Sequence, residues 1–147
     1  TGLVDVGQKT LVTTSTNKYD ERTDGCGPVG CNADLTRDGS TAPESRWSCS
    51  PKLGVATCTI TYTFAEPQDI VGFNIAFHKG NERSRALAAL ADSEDDLGTF
   101  QSSGTTLGFE TWELMMPELG ASSITLISEG LGSTEWISLT EASDMKD

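Results

Sequence analysis

The most chemically distinctive stretch of the sequence is "FHKGNERSR", residues 77–85. It contains the only histidine of the chain and three of its ten lysines and arginines, although the formal net charge of the protein is −12. Arginine binds carboxylate and sulfate groups through forked, charge-assisted hydrogen bonds, and lysine adds a less directional charge. The glycine-asparagine turn would let such side chains converge. The stretch therefore predicts a site for an anionic ligand.

Strand alternation would place Arg83 and Arg85 on one side of this stretch and Ser84 on the other. The first candidates for ligand binding are His78, Lys79, Asn81 and Arg83, followed by Arg85. Tyr19, Arg22 and Arg46 are expected to approach from neighbouring loops. The alternative is a solvated charged turn that is balanced by Glu82, Glu94, Asp95 and Asp96. Surface ion pairs contribute little to stability, which favours the binding hypothesis.

The sequence contains no recognisable catalytic motif. A nucleophilic hydrolase usually needs a histidine base, and only His78 is present, with no GxSxG around any serine. HExxH, GxxxxGK[ST] and a strand-linked GxGxxG are also missing. A small lyase that uses Tyr19 and His78 is the one catalytic alternative, and we expect a protein that is not an enzyme.

Length and charge exclude several classes of protein. The 147 residues fit one domain over residues 1–147, with no repeat or linker that would justify a second. An isoelectric point near 4.3 argues against binding to nucleic acid or to an anionic membrane surface. No apolar run approaches the roughly 20 residues of a membrane-spanning helix, so membrane insertion is not expected.

Four cysteines, Cys26, Cys31, Cys49 and Cys58, allow three disulfide pairings. The turn residues in "CGPVGC" and "SCSPKLGVATC" favour Cys26–Cys31 and Cys49–Cys58. Zinc binding by the four thiolates is the alternative, but the usual CxxC pairs are missing. Disulfides would place the protein in an oxidising compartment, secreted, extracellular or periplasmic.

Alternating apolar residues predict several short strands. In "TCTITYTF", residues 57–64, Cys58, Ile60, Tyr62 and Phe64 would point inward. "EPQD" breaks this strand, and Val71, Phe73, Ile75 and Phe77 repeat the pattern in the next. Further strands are predicted at 109–114, 123–128 and 136–142, with turns such as "MPELGA" between them. Short strands separated by turns predict an antiparallel β-sandwich.

Two regions are less clear from the sequence. "RALAALADSED" has the composition of a helix, although tertiary pairing could make it a strand. Residues 1–30 are weakly patterned and would form one edge strand and a long loop. Among the tryptophans, Trp47 and Trp112 fall on inward positions and are expected in the core. Trp136 follows a glycine-rich loop and is a candidate for stacking on a ligand.

Four motifs in order resemble the discoidin-like, or coagulation factor 5/8 type C, domain, in the branch classed with family 32 carbohydrate-binding modules. They are "RDGSTAPESRW" (37–47), "IAFHKGNERSRALAALADSED" (75–95), "SSGTTLGFETWEL" (102–114) and "GLGSTEWISLTEA" (130–142). Together they span about residues 33–145. The sequence departs from the family pattern at Ala88, where a large aromatic residue is usual, and in "SSITLIS", which lacks the usual cations.

The resemblance implies an all-β, antiparallel jelly-roll β-sandwich in which "RALAALADS" is a strand. It also implies a structural calcium ion that ties the first loops to the last strand, since calcium takes six to eight hard oxygen ligands. The candidate ligands carried over from the family are Leu35, Asp38, Ser40, Ser45, Thr140 and Glu141. The alternative is that Asp38 only caps a turn, as Asp-Gly often does.

The resulting expectation is a monomeric, non-catalytic carbohydrate-binding module that recognises an acidic polysaccharide or oligosaccharide such as alginate. The modules that it resembles are attached to alginate lyases and related enzymes, which implies a parent catalytic domain as a partner. A discoidin-type protein-binding or adhesion domain is the main alternative. It would require exposed apolar tips, for which "LMMP" (114–117) and "GL" (130–131) are the candidates. A rigid spacer that packs against the parent enzyme is a further alternative.

Overall fold

The structure is a computed structural model, and it describes residues 10–15, 31, 36–37, 45–49, 58–77, 86–103, 108–128 and 137–146. These residues form seven strands. The strands are β1 (Thr10–Ser15), β2 (Trp47–Cys49), β3 (Cys58–Phe77), β4 (Ala86–Ala91), β5 (Asp95–Gln101), β6 (Phe109–Ser128) and β7 (Ile137–Lys146). All pairings are antiparallel, in the order β2-β7-β3-β6-β4-β5, with β1 on β3. The predicted all-β antiparallel architecture is confirmed.

The two long strands, β3 and β6, each contribute to both layers of the sandwich. Residues 58–63 of β3 pair with 123–128 of β6, beside β1 and β4. Residues 70–76 of β3 pair with 109–118 of β6, beside β7. Because residues from both halves share one buried core, the paired strands fold over between them. The result is the jelly-roll β-sandwich that the resemblance implied.

The first half of β3 has the predicted alternation. Cys58, Ile60, Tyr62 and Phe64 are buried, and Thr61 lies on the outer face, where its hydroxyl is 2.9 Å from that of Thr125. The predicted break at "EPQD" is wrong, because the strand continues through it. Register shifts at Gln68 and Ile70 absorb the change of direction instead.

In the second half of β3 the inward set differs by one residue from the prediction. Ile70 is fully buried, whereas Val71 is only partly buried, so the prediction for Val71 is wrong. The register shifts between Ile70 and Gly72, which moves the alternation so that Phe73, Ile75 and Phe77 still point inward. A Cβ at Gly72 would lie 2.4 Å from the carbonyl oxygen of Trp112, so the close approach of β3 to β6 requires glycine.

The segment with helical composition is strand β4. Its burial alternates, with Leu87, Ala89 and Ala91 buried. The strand pairs with β5 on one side and with β6 on the other. Pairing on both sides and burial against the core outweigh the helix preference of alanine, and the segment is the strand that the resemblance implied. The prediction of a turn at "MPELGA" is wrong, since these residues continue β6.

Two tryptophans confirm the predicted core. Trp47 and Trp112 are buried at 1% and 7% exposure. Trp112 lies between Phe73 and Phe100, with ring centroids 5.1 and 5.7 Å away. The third tryptophan, Trp136, lies outside the described residues.

The cysteines that the structure describes are all in disulfides. Cys49 and Cys58 form the predicted bond, which joins the end of β2 to the start of β3. Cys31 is also disulfide-bonded, and its predicted partner Cys26 lies outside the described residues. Zinc binding by these described thiols is therefore wrong. No helix among the described residues is long and apolar enough to span a membrane.

A three-residue turn, residues 92–94, joins β4 to β5. Asp92 and Ser93 have φ angles of 53° and 63°, and the amide of Glu94 donates to the carbonyl oxygen of Ala91. Asp92 tolerates the left-handed region better than most residues, and its carboxylate accepts hydrogen bonds from two amides of β6, those of Ser122 and Ser123. The turn thus fixes β4 against β6.

We expect Asp92→Ala to lower the free energy of unfolding by about 2 kcal/mol, because it removes a charged acceptor of two backbone amides. Ser93→Gly is the matched change in the same turn, and it should raise the free energy by about 0.5 kcal/mol because glycine adopts the positive φ without strain. Urea denaturation followed by circular dichroism measures both. A loss below 0.5 kcal/mol for Asp92→Ala would show that the two amide bonds do not stabilise the turn.

Candidate functional site

Strand termini of both layers meet at one end of the sandwich, which we call the loop end. In one layer, Cys49 pairs with Ile137, and Phe77 pairs with Leu139 near the start of the same strand. In the other layer, Cys58 pairs with Ser128. The Cys49–Cys58 disulfide joins the two layers, with a Cα–Cα distance of 6.1 Å, so these termini lie at the same end.

Most of the predicted ligand-binding residues are close in sequence to strand termini at the loop end. β3 ends at Phe77 and β4 begins at Ala86, immediately before and after the basic stretch. β1 ends at Ser15, opposite Ile60, and Tyr19 and Arg22 follow it in the sequence. Of the nine predicted residues, only Arg46 is among those that the structure describes. The others lie outside it, namely Tyr19, Arg22, His78, Lys79, Asn81, Arg83, Arg85 and Trp136.

Arg46 is a buried side chain rather than a surface cation. It is 0% exposed and directly precedes β2. A buried guanidinium is retained only where partners compensate for its charge, and Arg46 has such interactions. Its predicted role in ligand binding stays a prediction, and the burial shows that Arg46 also contributes to the framework of the loop end.

A carboxylate anchors the segment after β5 at the loop end. One oxygen of Glu110 accepts hydrogen bonds from the amide and hydroxyl of Ser103, at 2.9 and 2.8 Å. The other oxygen accepts a hydrogen bond from the hydroxyl of Ser102. The carboxylate of Glu110 thus already accepts hydrogen bonds from neighbouring donors. Neither serine was singled out from the sequence, because no motif distinguishes a carboxylate that fixes a loop from other acidic residues.

Acidic side chains concentrate at the opposite end, which we call the acidic end. It contains the turn at Asp92 and the start of β5 at Asp95, next to Glu118. Partial burial raises the pKa of the Glu118 carboxyl above its usual value, and the hydrogen bond and charge of Asp95 act in the same direction. Asp92 adds a weaker contribution. Asp92, Asp95 and Glu118 therefore lie close enough for their charges to interact.

In the alternative of a solvated charged turn, Glu94, Asp95 and Asp96 would help to balance the basic stretch. They lie at the far end of the β4–β5 hairpin, whereas Ala86 and Gln101 close the hairpin at the loop end. The seven residues of β5 separate the two ends by about 15–20 Å. These carboxylates are therefore distant from the start of β4 at Ala86.

Three of the predicted calcium ligands fall among the described residues. Ser45 is partly buried, Thr140 is fully buried, and only the backbone of Glu141 is described. The hydroxyl of Thr140 donates to the carbonyl oxygen of Ala76 at 3.2 Å. The register of β7 against β3 shifts at this point, so Thr140 is skipped in the ladder. Leu35, Asp38 and Ser40 lie outside the described residues.

Thr36, which lies between Leu35 and Asp38 in the sequence, is held to the core. Thr36 is fully buried, and its hydroxyl lies 2.7 Å from that of Tyr62 in β3. Another buried hydroxyl pair, Ser48 and Ser138, joins β2 to β7 at 2.7 Å. Among the described residues no group of three or more acidic, histidine or cysteine side chains could hold a metal ion. Oxygen donors of other kinds are present at Ser45 and Thr140.

Comparison with known proteins identifies the fold. No protein-family model and no curated protein sequence matches this chain. Among solved structures, the "CBM32 of AlyQ in complex with 4,5-unsaturated mannuronic acid" is 18% identical, with a TM-score of 0.65 over 92% of this chain and 94% of its own. A longer AlyQ structure, with CBM32 and alginate lyase domains, matches over 94% of this chain and 33% of its own, with a TM-score of 0.66 and 18% identity.

Two further structures bind different sugars. A pectin-binding carbohydrate-binding module is 18% identical, with a TM-score of 0.67 over 92% of this chain and 89% of its own. The family 32 module of NanJ from C. perfringens, solved with galactose, is 11% identical, with a TM-score of 0.69 over 98% of both chains. These similar structures are carbohydrate-binding modules with various ligands. The chain has the discoidin-like fold of family 32 carbohydrate-binding modules.

Proposed function

We propose that the protein is a non-catalytic carbohydrate-binding module that recognises an anionic polysaccharide, alginate or another uronate polymer, at its loop end. The observation that carries this proposal is the separation of charge along the sandwich. Asp92, Asp95 and Glu118 lie together at the opposite end, while the strand termini next to the basic stretch in sequence meet at the loop end. An anionic polymer would therefore approach the loop end without facing the acidic end.

The binding chemistry follows from the residue types of the basic stretch. Arg83 and Arg85 would each donate two hydrogen bonds to a uronate carboxylate, and Lys79 would add charge. Asn81 and His78 would bind hydroxyl groups of the sugar. Such polar recognition suits a uronate better than a neutral hexose. Two of the similar structures support this class of ligand, since one was solved with unsaturated mannuronic acid and the other is described as pectin-binding.

The module would work as part of a larger secreted polysaccharide-degrading enzyme. The similarity to an AlyQ structure that joins a family 32 module to an alginate lyase domain supports a parent enzyme. The Cys49–Cys58 disulfide fits an extracellular location. Single-site binding to a sugar is expected to be weak, and attachment to another domain raises the effective affinity by keeping polymer and enzyme together. The module itself is expected to be monomeric.

Arg83→Ala should weaken binding of alginate oligomers at least tenfold, because it removes charge-assisted hydrogen bonds worth about 1.5–3 kcal/mol. Isothermal titration calorimetry measures this. Lys146→Ala is the matched control, since it also removes one positive charge but at the acidic end, opposite Ile70. Its affinity should stay within twofold of native. Neutral galactan oligomers should give no saturable heat. A folded native protein that gives no heat with alginate would refute the proposal.

We propose further that a calcium ion joins the loop at Asp38 to the last strand. Asp38 and Glu141 would supply carboxylates, Ser40 and Ser45 hydroxyl or carbonyl oxygens, and Leu35 and Thr140 carbonyls. The skipped ladder position at Thr140 supports this, because a bulge redirects backbone groups away from the neighbouring strand. The ion would have a structural role and take no part in sugar chemistry.

Calcium at 100 times its dissociation constant should stabilise the fold by about 2.7 kcal/mol. Thermal denaturation should therefore give a higher Tm in calcium than in a chelator. Glu141→Gln should abolish the increase. Glu113→Gln, a change at an exposed carboxylate outside the predicted ligand set, should leave it intact. Equal melting temperatures of the native protein in calcium and in chelator would contradict the site.

A further inference from the structure

An open groove runs between two sheet edges on the side of the sandwich, away from the loop end. It has a volume of about 800 Å³ and lies between residues 96–99 of β5 and residues 112–118 of β6. Among the described residues, β5 pairs only with β4, and this half of β6 pairs only with β3. Both walls of the groove are therefore edge strands with backbone groups that no described strand uses.

The walls of the groove combine apolar and acidic side chains. Met115 and Met116 are 101% and 78% exposed on one lip, and Leu97 and Trp112 form the base. Large apolar side chains exposed side by side are unusual unless a partner covers them. Methionine is common at surfaces that bind peptides, since its flexible thioether adapts to different partners.

The charge around the groove has a single sign. Asp96, Glu113 and Glu118 line it, and no lysine or arginine is among the described residues that do so. Glu118 already has a raised pKa because partial burial and Asp95 disfavour its charged form. A positive charge placed between these carboxylates would relieve their repulsion. The complementary partner is therefore cationic and carries apolar side chains that can cover the methionines.

We propose that this groove is a docking site for a basic segment of a partner protein, whose apolar side chains cover Met115 and Met116 and whose cations pair with Asp96 and Glu113. The segment binds through its side chains rather than as an added strand, because both edges are irregular here. Residues 114–117 of β6 have no partner in the register with β3, and Gly98 of β5, at a φ of 100°, lies at a register irregularity in its ladder. This site goes beyond the proposed binding of glycans.

Charge excludes the other occupants of the groove. An acidic polysaccharide would be repelled by the carboxylates of the walls. In a symmetric dimer through this surface, the grooves of the two copies would face each other. Asp96, Glu113 and Glu118 of one copy would then lie against the same residues of the other. With a net charge of −12 on each copy, association through this surface is unfavourable. A cationic segment of another protein satisfies both the charge and the apolar lip.

The test is selection of random 12-residue peptides displayed on phage against the full chain. Counter-selection against the Met115→Ser/Met116→Ser variant retains the sequences that depend on this lip. Enriched peptides are expected to carry net positive charge and at least one large apolar residue. A synthetic peptide of the enriched sequence should bind the native chain at least tenfold more tightly than the double methionine variant, measured by fluorescence anisotropy.

Matched variants separate the groove from general surface effects. Leu119→Ser removes another exposed apolar side chain, 73% exposed, that does not line the groove, and it should leave the affinity within twofold of native. Asp96→Asn/Glu113→Gln should weaken the peptide at least threefold at 0.1 M salt and less at 0.5 M, because salt screens exposed charges. Glu66→Gln, at an exposed carboxylate outside the groove, should have no effect.

Several results would overturn the docking site. They are the absence of enriched peptides, enrichment of neutral or acidic peptides, or equal affinity of the native and methionine variants. A dimer in sedimentation that the methionine substitutions dissociate would identify a second copy as the occupant and would also refute the proposal. Alginate titration of the same variants keeps the two functions distinguishable, since glycan binding at the loop end should not change when the groove is altered.

Discussion

The structure depends on the pairing of β3 with β6 along both of their lengths. These strands carry the core residues of both layers, so the position at which they fold over determines which strand termini meet at each end. The pairing requires a close backbone approach at one point, where Gly72 of β3 lies against the carbonyl of Trp112. A side chain at Gly72 would separate the strands just where Trp112 packs between Phe73 and Phe100. The layers, the loop end and the groove all follow from this contact.

The sequence was a good guide wherever burial follows a simple period. Alternation in "TCTITYTF" predicted the inward set of β3 because one face of that strand is buried and the other is not. Alternation mispredicted which side chain points inward near Ile70 and Val71. The register shift there depends on how β3 pairs with β6, and the sequence of β3 alone does not reveal it. Composition favoured a helix at β4 for a similar reason. Alanine has no intrinsic preference for a strand, and β4 is a strand because it pairs with β5 and β6. Family resemblance supplied what periodicity could not, because its motifs reflect whole-fold pairing.

The sequence predicted which residue types the candidate site contains. It did not predict which other side chains lie near them in space. Basic residues in an acidic chain predict an anionic ligand, and the alternative was that acidic residues a few positions further on balance them. The hairpin of β4 and β5 carries Asp95 and Asp96 to the opposite end, which sequence distance alone does not reveal. Likewise, Arg46 is one of the predicted binding residues, and its burial has no signal in the sequence. The exposed methionines lie on an edge strand rather than on the predicted turn, so their surroundings became clear only from the strand order.

Separation of charge would let so acidic a protein bind an anionic polymer at the loop end, as we propose. The two ends are about 15–20 Å apart, which is about twice the Debye length at physiological ionic strength of roughly 8 Å. The carboxylates around Glu118 would therefore act only weakly on a polymer bound at the loop end. Their field acts mainly on whatever approaches the acidic end or the adjoining groove. The net charge of −12 therefore does not predict the local charge of the loop end or of the groove. A partner responds mainly to the charges within about a Debye length of its own site. An anionic polymer and a cationic protein segment could then be bound at once, on surfaces that the β3–β6 pairing holds apart.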